Sequence, residues 1–371
     1  MKKYFLALLF TTITATASAG EIIYDYDLRL DGFYGYSEYS SRYRKENHHH
    51  HTPVAGEWVS SFGYRFDNDS ELSLGLDAQI SGGKEIKDYN HGYWGENIYV
   101  TYVSDYGELS AGQIYNAAYQ MAVGAPSVGV FRVNNSPVTD FLANPNWHRK
   151  KHKTWYRTLN STYLNTDADA LKVSYTTPEF YHLKMAFSYT PDSYSEAGLI
   201  NRHSRYENHS SYAAGLYGSW DIAGFEAESS LGYAYNRKNN QEVSAGLSLY
   251  RKGWTFGTSY RRSFTTSNDY KLNLPYGVNT PYYFDGYRRG DAFNIGLSYE
   301  IGPFKTGVSY FKATADKTSN KDEILTWSNK FALNKYAAIY VSMAYSEYTG
   351  DRDKSASSRG YATIVGAELN F

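Results

Sequence analysis

The sequence predicts an all-β protein, a transmembrane antiparallel β-barrel, and three observations support this prediction. The chain contains 40 Tyr, 18 Phe and 7 Trp, yet its mean hydropathy is only −0.58. No segment offers the roughly 20 consecutive apolar residues that a membrane-spanning helix requires. Many segments alternate apolar and polar residues, which places the two classes on opposite faces of a strand. This combination is typical of barrels with a lipid-facing outside and a polar inside.

Residues 1–19 predict a secretory signal peptide. Two lysines precede the short apolar run Tyr4–Phe10, and small residues at 17–19 supply the expected cleavage site. The run is too short to cross a bilayer as a helix. We therefore expect export of the chain and a barrel domain at residues 20–371.

Cysteine content and net charge exclude several function classes. The chain has no cysteine, which excludes disulfides, thiol catalysis and cysteine-bound metals. Its formal net charge of −1 argues against a nucleic-acid partner. We expect no cofactor.

Strand alternation is clearest in the first predicted strand. One face is apolar and holds Tyr24, Tyr26, Leu28, Leu30, Tyr34 and Tyr36. The other face is polar and holds Asp25, Asp27, Arg29, Asp31 and Ser37. A soluble β-sandwich or β-helix also alternates, but it buries its apolar face. Here the apolar faces are long and aromatic at their ends, which favours contact with lipid.

The same alternation predicts 16 strands along the chain. They lie near 22–38, 55–67, 70–82, 93–105, 107–117, 170–177, 181–191, 211–222, 224–236, 241–252, 253–265, 290–302, 303–316, 322–334, 335–349 and 358–371. Seven junctions are short and the others are mostly longer and more polar, as in barrels with short periplasmic turns and long outer loops. An even count places both termini at the periplasmic rim, where the last strand can pair with the first.

Two motifs and the terminal residue carry a family resemblance. Tyr106-Gly107-Glu108-Leu109-Ser110-Ala111-Gly112-Gln113 is similar to a pattern of an aromatic, Gly, one residue, Leu, two residues and Gly-Arg. Val173-Ser174-Tyr175-Thr176-Thr177-Pro178-Glu179-Phe180 resembles Val-x-Tyr-x-Ser-Pro-x-Phe, and Phe371 matches a terminal assembly signal. The sequence thus resembles the Gram-negative general diffusion porins.

The resemblance implies a non-enzymatic, water-filled outer-membrane channel for passive diffusion of small hydrophilic solutes and ions. It also implies a homotrimer in contact with lipid and lipopolysaccharide, inserted by the barrel-assembly machinery. A loop at about 117–169 is then expected to fold inward and constrict the pore. Two departures stand out: Gln113 replaces the family's Arg, and the loop is long and basic, with the cluster Arg149–Lys153. Part of it, around Trp155–Tyr163, is alternatively a strand.

Charged side chains on the polar faces and in the loop are the candidate pore-lining residues, because fixed charges replace the hydration of a passing ion. The predicted set is Arg29, Asp31, Asp77, Gln113, Arg132, Asp140, Arg157, Lys184 and Arg261, with Lys172 and Lys305 as further lumen-facing cations. The alternative for each residue is a solvated wall position or an ion pair. A basic loop inside the lumen predicts a weak preference for anions.

Other functions remain open from the sequence. A sugar-preferring pore is possible if Tyr99, Tyr217, Tyr250 and Phe311 stack on pyranose rings. A barrel enzyme is a rival because His91, His203 and His209 fall in predicted outer loops beside Ser or Asn, although no nucleophile motif is present. An adhesive barrel is the third alternative.

The tract His48-His49-His50-His51 is predicted in the first outer loop. Four adjacent imidazoles can bind zinc or nickel weakly. A dedicated metal site needs further converging ligands, so we expect incidental affinity only.

Overall fold

A computed structural model describes most of the chain as one closed barrel. The described residues are 20–41, 48–84, 97–131, 138–142, 144, 158–164, 167, 170–192, 210–236, 240–264, 289–316, 319–350 and 357–371. The strands are β1 Gly20–Ser41, β2 His48–Phe66, β3 Glu71–Lys84, β4 Asn97–Ser104, β5 Gly107–Gln113, β6 Leu171–Thr176, β7 Leu183–Thr190, β8 Ser211–Ile222, β9 Phe225–Asn236, β10 Asn240–Arg251, β11 Trp254–Ser263, β12 Gly290–Ile301, β13 Phe304–Ala315, β14 Lys321–Asn334, β15 Ala337–Thr349 and β16 Ser358–Asn370. Two one-turn helices, α1 (Ala117–Gln120) and α2 (Val138–Phe141), lie between β5 and β6.

Every strand pairs antiparallel with its sequence neighbours, and β1 pairs with β16 to close the sheet. The closing register runs from Arg29 opposite Asn370 to Ser41 opposite Ser358. Leu28 and Phe371 exchange two backbone hydrogen bonds of 2.9 and 3.1 Å beyond the end of that ladder. The sheet therefore has no open edge, which removes the unpaired backbone groups that lipid cannot satisfy.

The outer face of the barrel is apolar. Large apolar side chains project outward from strands all around the barrel, with Ile22 65% exposed, Leu231 57% exposed and Val365 53% exposed. Serines and other small polar residues alternate with them on the inner face. Among the described residues, no helix is long and apolar enough to cross a membrane.

The predicted 16-stranded barrel is confirmed, with corrections at three strand ends. The first two strands extend well beyond the predicted limits, to Ser41 in β1 and from His48 in β2. Strand β5 ends at Gln113 rather than at residue 117, because the chain turns inward there and Asn116 caps α1. The alternative strand near 155–163 is wrong for its described part, since residues 158–164 form no strand.

Strand β2 also corrects the placement of the histidine tract. The prediction of a loop was wrong, because His48–His51 form the first residues of β2. Successive side chains of a strand point to opposite faces. His50 is exposed on the outer face, 2.5 Å from the Tyr34 hydroxyl, whereas His51 is buried inside and bonded to Ser37 at 3.0 Å. The adjacent imidazoles of this pair therefore diverge.

Candidate pore constriction

The segment between β5 and β6 is called the constriction loop (residues 114–170), and its described residues lie inside the barrel. Asn116 joins its two ends. The Asn116 side chain is buried, accepts from the Tyr119 amide at 2.9 Å and thereby caps α1. Its amide nitrogen donates to the Leu164 carbonyl at 2.9 Å and to an Asp167 carboxylate oxygen at 2.6 Å. The departing and returning ends are therefore fixed side by side.

The loop backbone lies flat against the wall because the wall has glycine where the two meet. One inward-facing glycine occurs on each of six consecutive strands, β8–β13. This glycine track consists of Gly215, Gly232, Gly246, Gly257, Gly296 and Gly307. A Cβ atom at Gly246 would lie 1.9 Å from the Val123 carbonyl oxygen, and one at Gly257 would lie 2.3 Å from the Gly124 carbonyl oxygen. A larger residue at either of these two positions would push the loop off the wall.

Wall side chains hydrogen-bond the loop backbone along the same path. Ser188 of β7 accepts from the Ala117 amide at 3.0 Å, and Ser230 of β9 accepts from the Val123 amide at 2.9 Å. Farther along, Asn294 of β12 accepts from the Ala125 amide at 3.2 Å. The Ser309 hydroxyl of β13 donates to the Pro126 carbonyl at 2.9 Å. These bonds satisfy backbone groups that the barrel interior would otherwise leave unpaired.

An apolar cluster inside the barrel holds the far end of the loop. Phe141 of α2 packs against Phe131, against Phe33 of β1 and edge-on against His51 of β2. Wall residues from β12 to β16 complete the cluster, among them Phe311, Ile324, Ala344, Tyr348 and Ile364. The inner wall is therefore not uniformly polar, because one sector of it serves as the seat of the loop.

Arg261 ties the returning part of the loop to β10 and β11. Its guanidinium is buried against Glu242 of β10, with the Arg261 Nε atom 3.0 Å from a Glu242 carboxylate oxygen. It also donates to the Tyr163 carbonyl at 2.6 Å. Next to it, Thr162 bonds Ser259 of β11 at 2.6 Å and Asn294 at 2.8 Å. This predicted pore residue therefore acts as an anchor of the loop.

We expect Arg261→Leu to destabilise the barrel by roughly 3–5 kcal/mol, because it leaves the buried Glu242 carboxylate without its counter-charge. Thermal unfolding in detergent measures the change. The matched control is Arg65→Leu, which removes the ion pairs of a 44% exposed Arg side chain with Glu21 and Glu71, and this variant should lose about 1 kcal/mol or less. Equal stability losses in the two variants would contradict the anchoring role.

A cavity of about 530 Å³ lies between the described part of the loop and the wall. Its wall side is formed by Arg29, Lys305, Lys330 and Glu368. Its loop side is formed by Tyr119, Ala125, Ser127, Val128, Gly129 and Tyr163. The cavity is where the described part of the loop faces a charged sector of the lumen, and we take it as the candidate constriction.

Glu368 of β16 links the cations on the wall side. The Lys330 Nζ atom lies 2.6 Å from one Glu368 carboxylate oxygen, and an Arg29 nitrogen lies 3.4 Å from the other. Arg29 also contacts the Asp31 carboxylate at 2.9 Å. Lys305 lies in β13, with its ammonium 3.1 Å from Glu300. Among the residues that line the cavity, three cations thus face one carboxylate.

The structure brings only some of the predicted pore residues together. Arg29 lines the cavity and Asp31 adjoins it, whereas Asp77 is on β3, bonded to Asn97 of β4 at 3.3 Å. Lys184 lies near the short-turn end, 3.6 Å from Glu179. Gln113 is buried at the end of β5. Asp140 lies in α2, with only its backbone described, and Arg132, Arg157 and the basic cluster 149–153 lie outside the described residues.

Two further cations were predicted on the lumen wall, and one of them is an anchor. Lys305 lines the cavity. Lys172 is buried and donates to the carbonyls of Ile114 and, at 2.7 Å, Ala170 at the two ends of the loop. Sequence reasoning missed Lys330, Glu368 and the loop tyrosines. Lys330 is two residues from the inward-facing Ser328, and Glu368 is four residues from the inward-facing Ile364. Strand alternation would therefore have placed both charged residues on the inner face.

The aromatic residues proposed to stack on sugars do not form one surface. Phe311 is only 1% exposed because the loop covers it, so it is not available to a solute. The Tyr217 hydroxyl donates to Glu228 at 2.5 Å. Tyr250 is exposed near the short-turn end of β10. The histidines His91, His203 and His209 lie outside the described residues, and the described residues contain no cluster of three or more potential metal ligands from His, Cys, Asp and Glu.

Comparison with known proteins agrees with this architecture. A family model described as Gram-negative porin matches residues 6–351, nearly the whole chain. A sequence search of curated proteins found no match.

Solved structures with the same fold are outer-membrane porins. The anion-selective porin from Comamonas acidovorans aligns with a TM-score of 0.61 at 14% identity, covering 95% of this chain and 100% of that one. A mutant of the Rhodopseudomonas blastica porin aligns at 0.53 and 12% identity, covering 94% and 100%. A loop-deletion mutant of OmpT from Vibrio cholerae aligns at 0.55 and 13% identity, covering 94% and 99%. At these identities the likeness concerns the fold.

Proposed function

The chain belongs to the Gram-negative porin family, and from this membership and the constriction geometry we propose how its channel selects among solutes. The protein is an outer-membrane porin, a channel for passive diffusion of small hydrophilic solutes and ions. Its family and fold are those of a non-enzymatic channel. The short turns are then periplasmic and the long loops external.

We propose that the channel weakly prefers anions. The observation that carries the proposal is the excess of cations among the charged side chains that line the cavity, where Arg29, Lys305 and Lys330 are accompanied by one carboxylate, Glu368. Fixed charges in a confined passage raise the local concentration of the opposite ion. The exposed carboxylates of Asp25, Asp27 and the β2 residue Glu57 on the neighbouring wall keep the preference weak.

Reversal potentials in a potassium chloride gradient across a planar bilayer test this proposal directly. We expect a potential that corresponds to chloride passing more readily than potassium. A clear preference for potassium would contradict it. Because exposed charges are screened over about 8–10 Å near 0.1–0.15 M salt, the preference should shrink as the salt concentration rises.

The finer family features are part of the same proposal. We infer a homotrimer in contact with lipopolysaccharide, assembled by the barrel-insertion machinery, with residues 1–19 as the export signal. Gly32, Leu30 and Leu28 of β1 and Ala367, Val365 and Leu369 of β16 form adjoining small and apolar positions on the outer face, which suits either subunit contact or lipid contact. Crosslinking of the protein in native membranes distinguishes trimer from monomer.

A further inference from the structure

The two sides of the constriction cavity differ in chemistry. Its wall side is cationic, as described above, whereas its loop side carries two tyrosine rings, Tyr119 and Tyr163. These rings meet edge to face with centroids 5.5 Å apart. Behind Tyr119 lies Tyr115, stacked at 4.3 Å with an angle of 17° between the ring planes. The loop thus presents an aromatic surface on the side of the cavity opposite the fixed positive charges.

Both tyrosines are held by the loop anchors. Tyr119 lies in α1, and its amide is bonded to the buried cap Asn116. The Tyr163 carbonyl accepts from the buried Arg261 guanidinium. Because these backbones are fixed before any solute arrives, a bound molecule need not order a flexible loop.

The lysines opposite retain hydrogen-bonding capacity. An ammonium group has three hydrogen-bond donors. Lys330 contacts the carboxylate of Glu368, and Lys305 contacts the carboxylate of Glu300. The side chains are 31% and 40% exposed, so a solute in the cavity can reach them. A carboxylate is well suited to bridge two ammonium groups through charge-assisted hydrogen bonds.

We propose that this cavity is a weak binding site for aromatic carboxylates. The inference rests on the proposed anion preference and narrows it to a class of solute. The volume of about 530 Å³ falls in the range of small-molecule sites. The ring packs against Tyr119 and Tyr163, and the carboxylate contacts Lys305 and Lys330. An aliphatic anion engages only the cations, and a neutral sugar engages only the rings.

Blockade of the single-channel current tests the site, with benzoate and cyclohexanecarboxylate as probes of equal charge and similar size. We expect benzoate to bind roughly three- to tenfold more tightly, because only a planar π-system gains from edge-to-face contact with tyrosine. Tyr119→Leu and Tyr163→Leu should each reduce this ratio toward one, while Tyr119→Phe should keep it. The matched control is Tyr250→Leu, an exposed tyrosine of β10 that does not line the cavity, and it should leave the ratio unchanged.

The outcomes separate this inference from the proposed function. Equal blockade of the unaltered channel by benzoate and cyclohexanecarboxylate would overturn the aromatic site. The anion preference is measured separately, by the reversal potential in potassium chloride, and would not be affected by that result. The aromatic site would also be overturned if Tyr250→Leu abolished the preference for benzoate over cyclohexanecarboxylate as fully as Tyr119→Leu does. Lys305→Gln combined with Lys330→Gln should weaken both acids by similar factors, whereas unchanged blockade would remove the cations from the site.

Discussion

Gly246→Ala is expected to lower the single-channel conductance on the order of twofold, because conductance follows the open cross-section of a pore. The added Cβ atom would lie 1.9 Å from the Val123 carbonyl oxygen, whereas ordinary contacts begin at 3.4 Å. The strand cannot retreat, since it is paired on both sides to β9 and β11. The loop must therefore move by more than an ångström toward the pore axis and lose the bond from Val123 to Ser230.

The same substitution should destabilise the barrel by about 1–3 kcal/mol, the usual cost of overpacking a well-filled site. Combining it with Gly257→Ala, where the added atom would meet the Gly124 carbonyl, should deepen both effects. The matched control is Gly32→Ala in β1. Gly32 is exposed on the outer face, and a Cβ atom there meets nothing within 4 Å. Normal conductance in Gly246→Ala would show that the loop does not lie against the glycine track.

Charge reversal at two wall lysines is expected to change the channel from anion-preferring to cation-preferring. Lys305→Glu with Lys330→Glu alters the cavity by four units of charge. A unit charge about 8 Å from a passing ion contributes about 0.5 kcal/mol in water, and salt screening removes roughly half of it. The permeability ratio of chloride to potassium should therefore fall by on the order of tenfold or more. Reversal potentials in a potassium chloride gradient measure it.

Lys312→Glu is the matched control for this reversal. Lys312 lies in β13 like Lys305, but it is exposed and an odd number of residues away, so it projects from the outer face. The control should leave the permeability ratio nearly unchanged. If it shifted selectivity as much as the double variant, the selectivity would arise from the overall charge of the protein and not from the constriction.

The barrel was predictable from the sequence because its physical signal is local. Alternation such as Tyr24, Asp25 and Tyr26 reports which face of a strand meets lipid, and seven short turns mark where one strand ends and the next begins. Strand β13 was predicted at 303–316 and lies at Phe304–Ala315. The ends were harder to predict where a strand continues into polar residues, as in the histidine tract that begins β2.

The path of the constriction loop was not predictable in the same way. Its position depends on where inward-facing glycines of six strands align, and a glycine such as Gly246 contributes no amphipathic signal. Alternation correctly placed Arg261 and Phe311 on the inner face, but it does not reveal that the loop covers them. It equally could not show which inner-face cations, such as Lys330, lie opposite the loop. Those facts depend on contacts between distant parts of the chain.

Single-channel recording of the purified protein in a planar bilayer tests the central account most directly. A barrel whose loop lies flat against one side of the wall leaves a permanent aqueous path. We predict insertion in discrete steps, each followed by a steady current that is linear in potassium chloride activity at high salt. A protein that inserts yet passes no steady current would contradict the open pore on which the selectivity, the glycine track and the aromatic site all depend.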